Sequence, residues 1–166
     1  AQPLAAKIAG AVFLGVDVDP SRIEKRLETA YLDVKARNLD HALSLIHEAK
    51  QAKKALSVGL EGNASDVLWN LVERGEIPDI VTDQTSAHDE LNGYIPSHLS
   101  LEEATSLREE NPELYKKRSY ETMASHVDAM LACQEKGAVV FDYGNNIRAG
   151  AEKGGSKNPF GFDGFV

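Results

Sequence analysis

Cysteine is almost missing from this chain. Cys133 stands alone, which excludes an internal disulfide and any zinc site built on a cysteine cluster. It fits a reducing compartment, so a cytoplasmic protein is expected. Basic residues are outnumbered: 18 Lys and Arg against 26 Asp and Glu leave a net charge of −8. No cationic excess exists to neutralise phosphates, so neither a nucleic acid nor an anionic membrane is an expected partner. Long apolar runs are absent too, none approaching the roughly 20 residues that span a bilayer. Residues 1–6 (AQPLAA) lack the basic region and apolar run of a signal peptide. An initiating Met is also missing, and the chain stops abruptly in Gly164, Phe165 and Val166. Both features point to an excised piece of a longer protein.

What is present suits a globular fold. With 42% hydrophobic and 27% charged residues, a real core is available and disorder is not expected. The length fits one domain, so residues 1–166 are read as a single unit. Residues 11–18 (AVFLGVDV) are apolar and β-branched and stop at Asp19 and Pro20, a strand buried on both faces. Residues 3–8 before them predict the tail of a helix closed by Gly10. After them, Asp19 is an N-cap candidate with Pro20 at the first helical position, and Ile23, Leu27, Ala30 and Tyr31 recur at helical spacing. Further helices are placed at 39–54, with Leu43, Ile46 and His47 on one side, and at 64–74, with Val67, Leu68, Leu71 and Val72 inward. Helices are also expected at 101–108 and 112–136. Strands are expected at 55–60, 78–82 and 138–143, and irregular structure from Gly144 onward. Such alternation implies an α/β fold, a doubly wound and mostly parallel sheet with helices on both faces. Its ligands bind beyond the carboxyl ends of the strands.

Polar segments come after each of these strands, at residues 17–22, 61–64, 82–88 and 142–148. In a Rossmann-like dinucleotide unit, an acidic residue ending the second strand accepts from the adenosine ribose, ~20 residues beyond a glycine-rich loop. Asp17 suits that place, which puts the first strand and its glycine-rich loop before Ala1. Asp17 or Asp19 also suits a helix cap. Asp19 suits it better, which frees Asp17 for the ribose, and an acidic group there disfavours NADP. Within the chain, residues 59–64 follow a strand and open a helix, but at the wrong spacing for the fingerprint. The glycines at 150–161 follow no strand-to-helix step. Residues 82–89 carry more donors and acceptors than a connecting loop requires. A triad of Ser86, His88 and Asp89 is disfavoured because sequence neighbours rarely point at each other, and a metal site from His88, Asp83 and Asp89 is equally weak. His41, His47, His98 and His126 read as ordinary surface or packed histidines, and Cys133 as core.

The runs DIVTDQTSAHDELNGYIP at 79–96 and FDYGNNIR at 141–148 resemble hallmark segments of the urocanase family. The opening AQPLAA resembles the segment directly after that family's glycine-rich loop. The resemblance extends over nearly the whole chain, and it implies an NAD-binding domain set within a larger core domain. The family's enzyme adds water to urocanate, giving imidazolone propionate in histidine breakdown. NAD+ there stays tightly bound as an electrophile, its nicotinamide ring joining the substrate's imidazole transiently, with no net hydride lost. Carried over to matching positions, Asp17 takes the ribose, where the family is expected to have Glu, and Arg22 is a basic cofactor contact. Asn63 and Ala64 match the loop after the strand at 55–60. Gln84, Thr85, Ser86, Ala87 and His88 match a cofactor-binding run, and Tyr94, Ile95 and Tyr143 match further contacts, Ile95 replacing a commoner Leu. No catalytic residue and no metal ligand is expected within this chain, because the family's core domain supplies them, its cysteine included; Cys133 is not that cysteine. Urocanate would be met through the core domain, in a homodimeric full-length enzyme, and the chain alone is expected to be inactive. Two rivals remain: a stand-alone NAD-dependent dehydrogenase domain, which needs an acid/base and a glycine loop, and a non-enzymatic α/β assembly module.

Overall fold

The structure, a computed structural model, describes residues 2–165; Ala1 and Val166 lie outside the described residues. Helices and strands alternate throughout, first as α1 (Gln2–Ile8), β1 (Val12–Asp17), α2 (Pro20–Glu28), β2 (Val34–Ala36), α3 (Leu39–Gln51) and β3 (Leu56–Glu61). Next come α4 (Ala64–Arg74), β4 (Ile80–Asp83), α5 (Leu101–Glu110), α6 (Pro112–Glu135), β5 (Val139–Asp142), α7 (Ile147–Lys153) and β6 (Asp163–Gly164). Every strand pair is parallel, as the alternation predicts, and among the described residues the strands form two three-stranded sheets, ordered β1-β3-β2 and β4-β5-β6. The chain divides into two compact units at the first residue of α4.

In the first unit β3 is central, with Ser57, Val58, Gly59 and Leu60 all buried, the near-continuous burial of a parallel inner strand. α2 begins where Asp19 accepts from the Ser21 N–H at 2.9 Å, with Pro20 in its first turn. It ends at Glu28, and Ala30 turns back at φ 57°. That break ends the helical period early, so Tyr31 faces outward while Leu32 enters the core. Leu32 and Ile23 press onto bare backbone: a Cβ at Gly59 would overlap Leu32 Cδ2 and stand 3.0 Å from Ile23 Cγ2. Gly59→Ala is therefore expected to lower stability by about 1–3 kcal/mol through overpacking. Chemical denaturation reads this directly, and an unchanged midpoint would mean Leu32 swings aside freely. On α3 the buried residues are Ala42 and Ala49, whereas His47 is exposed. Asp33 accepts from the Ser57 N–H and hydroxyl, each at 2.9 Å, and pairs with Lys7. Burial works against its charge, but Lys7 and the Ser57 donors together hold its carboxyl below the usual range.

The second unit is built around α6, which starts at Asn111 and Pro112. Its Met123, Val127, Met130 and Cys133 meet Val81 and Val140 of the strands and Ile147 and Ala151 of α7. α4 docks through Trp69, whose Nε1 donates to the Ser125 carbonyl at 3.1 Å and to its hydroxyl at 3.0 Å. Leu71 is its buried apolar residue, and Gly75 closes it at φ 71°. Both α7 and β6 lie in the stretch expected to be irregular. α7 is held by packing more than by propensity: a Cβ at Gly150 would overlap Met123 Sδ, so the helix lies against α6 through the missing side chain.

Candidate functional site

Three aspartates end strands in this fold, and each folds the next turn in the same way. Asp17 accepts from the Asp19 N–H at 3.0 Å, Asp83 from the Thr85 N–H at 3.2 Å, and Asp142 from the Gly144 N–H at 2.8 Å. A carboxylate short enough to take the N–H two residues on fixes the chain as it leaves the sheet. The polar segments read from the sequence thus begin on rigid strand ends.

In the second unit Asp83 and Asp142 face each other in register and are 3% and 1% exposed. Asp142 is neutralised by Arg148 Nε, and Arg148 also donates to the Phe162 carbonyl at 3.2 Å. Asp83 accepts from the Thr85 hydroxyl at 2.9 Å and from the Asn145 amide, which also donates to the Thr85 carbonyl at 2.8 Å. Asn145 reaches that position because the chain passes through left-handed backbone at Gly144, φ 78°, and Asn146, φ 68°, conformations these two residues adopt most readily.

Between Asp83 and Tyr94 the chain folds on itself. Asp89 accepts from the Leu91 and Asn92 N–H groups at 3.2 and 2.9 Å, and Gly93 N–H donates to the Asp89 carbonyl at 2.8 Å. Tyr94, 4% exposed, has its hydroxyl 3.1 Å from His126 Nδ1, while the Tyr115 hydroxyl donates to the Tyr94 carbonyl at 2.8 Å. Burial, with the charges of Asp83 and Asp66, pushes the Tyr94 hydroxyl well above its ordinary pKa, so its O–H donates. Burial also lowers the pKa of His126 against the opposing pull of Asp83, so the ring is neutral. Its proton then sits on Nε2, which faces Asp83 Oδ1 at 4.0 Å.

The structure distributes the sequence-expected residues between the units. In the first, the Asp17 carbonyl accepts from the Gly62 N–H at 3.1 Å, which brings the loop carrying Asn63 and Ala64 beside β1. Asp17 Oδ2 has no partner among the described residues. Arg22 lies 3.6 Å from Asp19 Oδ2. In the second unit Gln84, Ser86 and His88 are exposed, Thr85 and Ile95 are half-buried, and Ala87 and Tyr94 are buried. Tyr143 is 46% exposed and stacks on Phe165 at 5.3 Å between ring centroids. Sequence reasoning did not bring Asp83, His126, Asn145, Asp142 and Arg148 together as one cluster; the recurring aspartate at a strand's end was the available signal. Among the described residues no group of three His, Cys, Asp or Glu could hold a metal ion, and no helix is long and apolar enough to cross a membrane. The family model described as the urocanase Rossmann-like domain matches residues 1–166.

Proposed function

Because the chain belongs to the urocanase family, as its Rossmann-like domain, we propose that it holds NAD+ for an enzyme that adds water to urocanate, giving imidazolone propionate. The observation that carries this reading is Asp17. Its carboxylate stands at the carboxyl end of a parallel strand, with Oδ1 occupied by its own turn and Oδ2 unclaimed among the described residues. A carboxylate oxygen left over in that position is an acceptor for ribose hydroxyls. Gln84, Ser86 and His88 are exposed beyond β4, and the half-exposed Tyr143 ring offers a flat face to a planar group.

In this reading Arg22, Asn63 and Ala64 are cofactor contacts of the first unit, and Thr85, Ala87, Tyr94 and Ile95 are cofactor contacts of the second. NAD+ supplies an electrophilic nicotinamide ring that activates the imidazole of urocanate toward water. The chain's own residues bind and orient; acid/base groups and urocanate contacts belong to the core domain of a homodimeric cytoplasmic enzyme. Residues 1–166 contain no glycine turn with dinucleotide spacing, so the pyrophosphate loop comes from outside them, and the chain alone turns over no urocanate.

Asp17→Asn tests this in the intact enzyme. Asparagine keeps an acceptor for the Asp19 N–H and replaces the second oxygen by a donor. Calorimetric titration of the NAD+-free enzyme is expected to show affinity reduced about tenfold, the scale of one hydrogen bond to a charged group. Unchanged affinity would remove Asp17 from the ribose site.

A further inference from the structure

We propose that His126 is a positioning residue that staples the two stems of the loop at residues 84–93, and so fixes the exposed Gln84, Ser86 and His88. The proposal rests on the NAD+ reading for its purpose, not for its geometry. Asp83 is the last residue before the loop and Tyr94 the first after it. One imidazole, 2% exposed, lies between them: Nδ1 is hydrogen-bonded to the Tyr94 hydroxyl at 3.1 Å, and Nε2 faces Asp83 Oδ1 at 4.0 Å, an electrostatic approach longer than a hydrogen bond.

A ring that merely filled space at this point of α6 would leave its Nδ1 buried without a hydrogen-bond partner, which is costly. Here the neutral ring accepts from Tyr94 on one side and turns its N–H toward a carboxylate on the other. Two other side chains of α6 hold only the far stem. Tyr115 donates to the Tyr94 carbonyl at 2.8 Å, and Thr122 accepts from the Ser97 N–H at 3.0 Å. His126 alone among these three also faces Asp83, whose other contacts, Thr85 and Asn145, set how the loop departs. Hence one side chain of a long helix registers both ends of the segment against each other.

The test uses the intact enzyme without NAD+ and two variants. His126→Phe removes both ring nitrogens at similar size, and Tyr94→Phe removes only the hydroxyl, so at least the milder change keeps the fold. Hydrogen exchange at amides 84–93 is expected to accelerate about tenfold in each, the double variant being no worse than the worse single. Amides of β4 and β5 should exchange at wild-type rates. NAD+ affinity should fall about tenfold in parallel. Loop amides that exchange normally in both variants, or exchange that rises throughout the second unit, overturn the staple. Faster loop exchange with undiminished NAD+ affinity overturns its service to the cofactor. The exchange measurement contains no nucleotide, so it judges the staple even if Asp17→Asn shows the cofactor reading to be wrong.

Discussion

Arg148→Met is expected to lower the unfolding free energy by about 3 kcal/mol, the scale of a buried ion pair broken from one side. Asp142 is almost fully enclosed, and without the Arg148 guanidinium its carboxylate keeps, among the described residues, the Gly144 N–H as its hydrogen-bond donor. The arginine also anchors the end of the chain. It donates to the Phe162 carbonyl, and its guanidinium carbon lies 5.5 Å from the centre of the Phe160 ring. Methionine retains much of the apolar stem, so the loss reports mainly on the unpaired carboxylate. A second substitution, Asp142→Asn, should recover part of that loss in the Arg148→Met background, because an amide needs no counter-ion. Chemical denaturation of the four proteins gives the cycle. A single-variant loss under about 1 kcal/mol would place the pair with exposed salt bridges and imply that water reaches Asp142.

Gly93→Ala should weaken both the folded loop and the binding that depends on it. A Cβ at this position would overlap the Ser86 carbonyl oxygen, stand 2.7 Å from Ser86 Cβ and 2.9 Å from Asp89 O. Two of these three are backbone oxygens, which no rotamer change can move. The loop must open to admit the methyl group, at a cost of about 1–3 kcal/mol. Opening it displaces Ser86 directly and loosens the Gly93 bond to the Asp89 carbonyl. If the closed loop is the form that meets NAD+, affinity in the intact enzyme falls at least tenfold, roughly the equivalent of 1.4 kcal/mol. An alanine variant that bound NAD+ as tightly as the wild type would show that the cofactor meets the loop in another conformation.

How far the sequence reveals all this depends on how local each signal is. The helix at 64–74 matches its expected bounds because its stop, Gly75, comes directly after it. β3 is legible because burial on both faces demands an uninterrupted apolar run. β2 is not: Val34, Lys35 and Ala36 are too few to establish a period of two. α7 escapes notice because Gly150, poor in a helix on its own, is what lets it approach α6. The strand-end position of Asp17 was readable from the apolar run before it and from Asp19 and Pro20 after it. The Asp83 cluster was not, since Asn145 is 62 positions from Asp83 and His126 is 32 from Tyr94. Tyr94 itself is 4% exposed and bonded to His126, a burial that no neighbouring residue in the sequence announces.

Trp69 lends the molecule an optical asymmetry. It is the chain's one tryptophan, and its indole is fastened to Ser125 inside the second unit. The first unit has no indole and one tyrosine, Tyr31, already open to solvent. Tryptophan emission during heating therefore watches one half of the protein, whereas far-ultraviolet circular dichroism watches helices in both. Curves that coincide mean that the halves melt as a single cooperative block, and curves that separate give the melting temperature of each half without cutting the chain.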